Sequence, residues 1–167
     1  MKIWLENILR FFVLLLLQVL LFNNLQFLGL CIPYIFILFL ILLPPTLPRW
    51  VEILVGFICG LILDVFTNSL GVQMAACTLV SYLRPLLIMN MIQDNDRLIA
   101  TPSSITLGRT TFYKIVLILV VLHHTMMFSL IAFSIHNWWI TLIQIIVSSL
   151  FTTVFIIVYD FLNATKL

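Results

Sequence analysis

Long apolar runs separated by short polar breaks set the layout of this chain. A hydrocarbon core about 30 Å thick needs roughly 20 helical residues, at about 1.5 Å each. Inside it every backbone group must find an internal partner, which leaves helices or a closed barrel. Barrel strands alternate with period two, and the runs here are too long and continuous for that. The pattern predicts an all-α integral membrane protein with about six spans, roughly 8–28, 30–43, 51–66, 71–91, 112–135 and 138–162. Together they make a single polytopic domain over residues 1–167, interrupted by one polar segment at 92–111. The second run is short and is ended by Pro44, Pro45 and Pro48, so it is open between a tilted, a re-entrant and a partly lipid-exposed segment.

Composition agrees with lipid as the solvent. The 167 residues are 63% hydrophobic and 8% charged, with a mean hydropathy of +1.25, where soluble domains carry roughly 25% charged residues. A soluble chain of this length could not hide so much apolar surface. Lys2 and Arg10 ahead of Phe11–Phe22 imitate a signal peptide, but Phe22, Asn23 and Asn24 make a poor cleavage site. This run is read as a retained first span.

Basic residues give the direction. With the N-terminus in the cytoplasm, Lys2, Arg10, Arg49, Arg97, Arg109, Lys114 and Lys166 all fall on the inner side. The outer connections Asn23–Gly29, Thr67–Leu70 and His136–Asn137 hold no Lys or Arg. The positive-inside rule therefore predicts both termini inside. Trp4, Trp50, Trp138 and Trp139 fall near span ends, as interfacial aromatics do.

Polar residues within the spans are the candidates for function. Gly56, Gly60 and Asp64 are spaced i, i+4, i+8 and share one helix face, and two glycines so placed admit another helix closely. Asp64 is costly in a span. It is expected to take donors from Thr67, Asn68 or Ser69, and is open between a structural carboxylate and one used by a ligand or partner. Residue counting places Arg84 about 11 Å from Asp64 in depth, too far for a salt bridge. Arg84 is expected to snorkel beside Pro85 toward the headgroups.

His123 and His124 fall near mid-bilayer and point about 100° apart, so they cannot share one small site. A neutral packing pair is preferred over a proton relay or ligand site. Thr141, Gln144, Ser148 and Thr152 form a polar stripe on the last span, and Gln18 stands alone on the first. Helix–helix hydrogen bonding is the expected role of both.

Much chemistry is missing. No nucleophile–base pair, phosphate-binding loop or metal-ligand spacing is present, so no catalysis, cofactor or metal is expected. Cys31, Cys59 and Cys77 have no paired spacing and read as inert buried thiols. The charge of +2 and the lack of a basic run argue against nucleic acid. The segment Gln93–Thr111, with Asp94, Asp96, Arg97, Pro102 and Arg109, is the natural site for a cytoplasmic partner or a mere spacer.

The stretch GFICGLILDVFTNSLGVQMAACTLVSYLRPL, Gly56–Leu86, resembles the core of the bacterial rod shape-determining protein MreD family. The resemblance is carried by Gly56, Gly60, Asp64, Leu70, Gly71 and Tyr82. It implies a fold similar to the six-helix substrate-binding subunits of energy-coupling-factor transporters. It also implies a non-enzymatic scaffold in the bacterial cytoplasmic (inner) membrane. Such a scaffold binds an MreC-like bitopic protein, and through it the MreB-like cytoskeleton and a peptidoglycan synthase, with Gly56, Gly60 and Gly71 as packing or partner-facing positions. The alternative is a substrate-binding membrane subunit of a vitamin-type transporter, with Asp64, Trp138 and the outer loops around the ligand. The topology has a direct check: membrane-impermeant thiol reagents outside intact cells should fail to label Arg97→Cys or Arg109→Cys, and labelling would invert the layout.

Overall fold

A computed structural model of the chain describes residues 2–24, 33–91, 102–132 and 138–164. The described residues form helices α1 (Lys2–Leu20), α2 (Ile37–Ile41), α3 (Arg49–Thr67), α4 (Val72–Met91), α5 (Ser104–Leu107), α6 (Arg109–Ala132) and α7 (Trp138–Ala164), with a 3-10 turn at Phe22–Asn24. Among them α3, α4, α6 and α7 are long and apolar enough to cross a bilayer. The chain is a helical, membrane-embedded protein.

The long helices pack in chain order: α3 on α4, α4 on α6, and α6 on α7. Helix α1 lies against α2 and α3, while α5 bridges α6 and α7. Outward faces carry apolar side chains such as Leu54, Leu61, Val65, Leu117, Ile146 and Val154, as a lipid solvent requires.

The tightest packing lies between α3 and α4. A methyl group on Gly60 would stand 2.5 Å from Gln73 O and 2.7 Å from Met74 N, both backbone atoms. One on Gly56 would stand 2.7 Å from Ser81 Cβ and 2.8 Å from Cys77 O. The glycines do bring two helices together, but the second helix is this chain's own α4. The expectation that this face meets a partner is corrected: the hairpin closes it. Gly71 serves the turn instead, at φ +92°, following Asn68 at φ 55° and Leu70 at φ 45°.

The second apolar run departs most from expectation. Its described part, 33–43, holds only the five-residue α2, about 8 Å long and far short of a bilayer. Every side chain from Tyr34 to Leu43 is buried. Pro33, Pro44 and Pro45 bracket the segment and stop helix growth at both ends. Its apolar side chains face protein, where a lipid-facing helix would look the same in sequence.

Other boundaries shift by a turn or less. Helix α1 begins at Lys2, ahead of the expected 8, and α6 begins at Arg109, ahead of 112. The latter start follows a capping box at Ser103 and Thr106 and a positive φ of 76° at Gly108. Residues 25–32, 92–101 and 133–137 lie outside the described residues, and with them Asp94, Asp96, Arg97 and the first and last outer connections.

Because Gly60 meets rigid backbone, Gly60→Ala should destabilise the protein by about 1–3 kcal/mol. The measurement is the unfolding midpoint in detergent, and an unchanged midpoint would mean the hairpin can spread.

Candidate functional site

Three polar groups lie along the buried side of the α3–α4 hairpin, and each has intrachain partners. The first is Arg84, fully buried at the centre of the bundle rather than snorkelling. Its Nη1 meets Glu52 Oε2 at 2.9 Å, an ion pair with both side chains about 1% exposed. Its Nε donates to Ile41 O at 3.1 Å, and Nη2 donates to Leu43 O. One guanidinium thus neutralises a buried carboxylate and satisfies carbonyls at the end of α2. A planar fork of donors suits this task, and an ammonium does not. The snorkelling expectation fails because α2 and Glu52 supply inside the bundle what the headgroups would supply at the surface.

Asp64 joins the end of α3 to the start of α4. Its Oδ1 accepts from Ser69 Oγ at 2.5 Å and from Gln73 N at 2.9 Å, and Oδ2 accepts from Met74 N at 2.9 Å. Thr67 Oγ1, which donates to Leu63 O, lies 2.6 Å from Ser69 Oγ and completes the shell. Helix starts leave N–H groups without intrahelical partners, and a carboxylate there also meets the positive end of the helix dipole. Asp64 sits at the unfavourable end of its own helix and the favourable end of the next. The geometry assigns it the locally bonded, structural role.

A third polar centre surrounds Tyr34. His123 and His124 both pack on its ring, with centroids 5.6 and 5.9 Å away. Adjacent helical positions do reach one group here, because the tyrosine enters between them; the expectation that they could not is corrected. His124 Nδ1 lies 2.8 Å from Val120 O, so that nitrogen carries the proton, and Nε2 faces Thr152 Oγ1 at 3.4 Å. Thr152 Oγ1 also accepts from Tyr34 N at 3.1 Å. Gln18 works on the other side, donating to Pro33 O at 3.2 Å and Asn23 Oδ1 at 3.0 Å, and accepting from Phe36 N at 3.3 Å. The stripe member Thr152 and the lone Gln18 thus have the packing roles expected of them. Ser148 is buried on the same helix, while Thr141 and Gln144 are partly exposed.

Sequence reading passed over Glu52, Asp160 and Tyr34. Glu52 follows Arg49 and Trp50 and looks like an interfacial residue, yet residue counting puts it within about 7 Å of Arg84 in depth, inside the reach of an arginine. That comparison would have found the pair. Asp160, near the end of α7, accepts from Tyr113 Oη at 3.1 Å and from Ser104 N at 3.4 Å. It anchors the last part of the polar segment to the bundle. The segment is thus folded from Ser103 onward, and the spacer reading does not hold there.

Comparison with protein-family models, curated proteins and solved structures found no significant match.

Removing Arg84 leaves Glu52 buried without its counter-charge. Arg84→Met should cost about 3–5 kcal/mol of stability, and Arg84→Lys should recover only part of it. Unfolding midpoints of the purified variants in detergent check this; a wild-type midpoint for Arg84→Met would refute the role given to the pair.

Proposed function

We propose that the chain is a non-enzymatic scaffold of the bacterial cell-elongation machinery, an MreD-like protein of the cytoplasmic membrane. It crosses about six times with both termini inside, α1 and the segment around α2 completing the count. It binds an MreC-like bitopic protein, and through it the MreB-like cytoskeleton and the peptidoglycan synthase. The observation that carries this reading is where the buried charges go. Glu52, Arg84, Asp64 and Asp160 are all bound to groups of the same chain, holding helices and turns in place. Such an interior supports shape, and the surface it supports is apolar and suited to other helices.

The residues that carry the MreD resemblance divide in an informative way. Gly56, Gly60, Asp64 and Gly71 are accounted for by the hairpin itself. Leu70 and Tyr82 are not: Leu70 is 97% exposed at the turn, and Tyr82 is 54% exposed on α4. An exposed leucine with a positive φ costs backbone strain that no intrachain contact explains. These two positions are the partner-facing candidates. Glycine variants are unsuited to test them, since they break the fold first.

Tagged protein should therefore co-purify an MreC-like single-span protein, and its depletion should turn rods round. Leu70→Asp combined with Tyr82→Ala should abolish co-purification and leave the unfolding midpoint unchanged. Normal recovery of the partner by a folded double variant would reject this surface, and rods unaffected by depletion would reject the function.

A further inference from the structure

His123 and His124 are neighbours with opposite bonding. His124 has both ring nitrogens facing partners. His123 is equally buried, yet its Nδ1 has no hydrogen-bond partner, and its Nε2 faces a single atom, Cys77 Sγ, at 3.9 Å. That is long even for a hydrogen bond to sulfur. It is a natural separation for two ligands of one ion. Sulfur and nitrogen bonded at about 2.3 and 2.0 Å stand roughly 3.5 Å apart at a tetrahedral angle and roughly 4.3 Å apart in a line.

The neighbouring turn repeats the arrangement. Met127 lies one turn along α6 from His123, and Gln73 one turn along α4 from Cys77, with Gln73 Nε2 donating to Met127 Sδ at 3.2 Å. All four side chains are buried, and Gln73 Oε1 has no hydrogen-bond partner. Unpartnered polar atoms at a buried site are uncommon and call for an explanation such as an ion or water. Methionine has three rotatable bonds, so its thioether can swing from Gln73 toward the Cys77–His123 pair.

The donor set selects the ion. Among the described residues no three of His, Cys, Asp or Glu converge, so a harder divalent ion finds no full set here. A thiolate, an imidazole and a thioether are soft ligands. Charge points the same way: one thiolate cancels a monovalent cation, whereas a divalent one would leave a net charge inside the bundle at high cost. We propose that Cys77 and His123 bind a soft monovalent metal ion of the Cu(I) class between α4 and α6, with Met127 as the third ligand. On binding, the Cys77 S–H bond breaks and its proton passes to solvent, while Cu–Sγ and Cu–Nε2 bonds form. Copper stays monovalent and no sulfur is oxidised. Sequence spacing could not show the site, because its ligands come from two helices.

The test uses the full-length protein in lipid nanodiscs, titrated without oxygen against Cu(I) held by a coloured bicinchoninate chelator. Wild type should take one copper per chain. Cys31→Ser with Cys59→Ser, which leaves Cys77 as the sole thiol, should take the same, and X-ray absorption should show copper bound to sulfur and nitrogen. Cys77→Ser should weaken uptake at least about 100-fold, and Met127→Leu should weaken it less. Silver(I) should raise the unfolding midpoint of wild type but not of Cys77→Ser. Copper left on the chelator by wild type would overturn the proposal, as would full uptake by Cys77→Ser. Should Cys77→Ser fail to fold, the sole-thiol variant decides: copper uptake without a copper–sulfur signal also overturns it.

Discussion

The structure depends on keeping a broken segment of backbone satisfied inside a membrane bundle. Residues 33–44 run through the core with only one short helix between them. Non-helical backbone at membrane depth survives only where protein or enclosed water meets its polar groups. The chain meets them from three helices. Gln18 of α1 takes Pro33 O and Phe36 N, Thr152 of α7 takes Tyr34 N, and Arg84 of α4 takes Ile41 O and Leu43 O. Local bonds such as Leu38 N to Ile35 O and Leu42 N to Leu38 O cover others. Polar side chains in the long helices therefore act chiefly as ligands for the backbone of this segment.

This explains why a full charge is tolerated at the centre. A buried ion pair is not in itself a source of stability, since desolvation offsets the attraction. Arg84 is kept because a neutral group could not offer three directed donors to a carboxylate and two carbonyls at once. Glu52 accompanies Arg84 as the counter-charge without which the cation could not be buried. Asp64 solves a smaller version of the same problem at the other end of the hairpin, where α4 begins with free N–H groups. Close approach at Gly56 and Gly60 puts these groups within reach, so the glycines, the carboxylates and the arginine form one device.

Part of this was legible in the sequence. Apolar runs of bilayer length gave α3, α4, α6 and α7 within a few residues, because length and hydropathy decide those helices without help from tertiary contacts. The Gly56–Gly60–Asp64 face was legible from its period, and Ser69 as a donor to Asp64 from its proximity. The backbone donors Gln73 and Met74 were not, since a turn's geometry brings them there. Arg84 was misjudged for a related reason: depth says where a side chain starts, and only packing says whether a carboxylate and bare carbonyls lie beside it. The segment 33–44 was hardest, because an apolar run bounded by prolines reads the same whether lipid or protein surrounds it.

Hydrogen bonding and contact also separate the firmly held parts of the bundle from the loosely held one. Helices α3, α4, α6 and α7 follow one another in direct contact. Helix α1 is tied through Gln18 and through edge contacts of Phe11 with Phe36 and Phe39. Apolar grooves of about 550 Å³ toward α7 and about 250 Å³ toward α3 flank it. Between apolar helices in lipid there is little hydrophobic force to close such gaps, so contact quality decides which helices stay together. Tilting α1 would break the Gln18 bonds to Pro33 and Phe36 and expose one end of the central segment, whereas the Arg84 end would stay satisfied. The core is thus pinned from within at one end and by a separable helix at the other, and a change in what occupies the α1 grooves would be felt first at Pro33–Phe36.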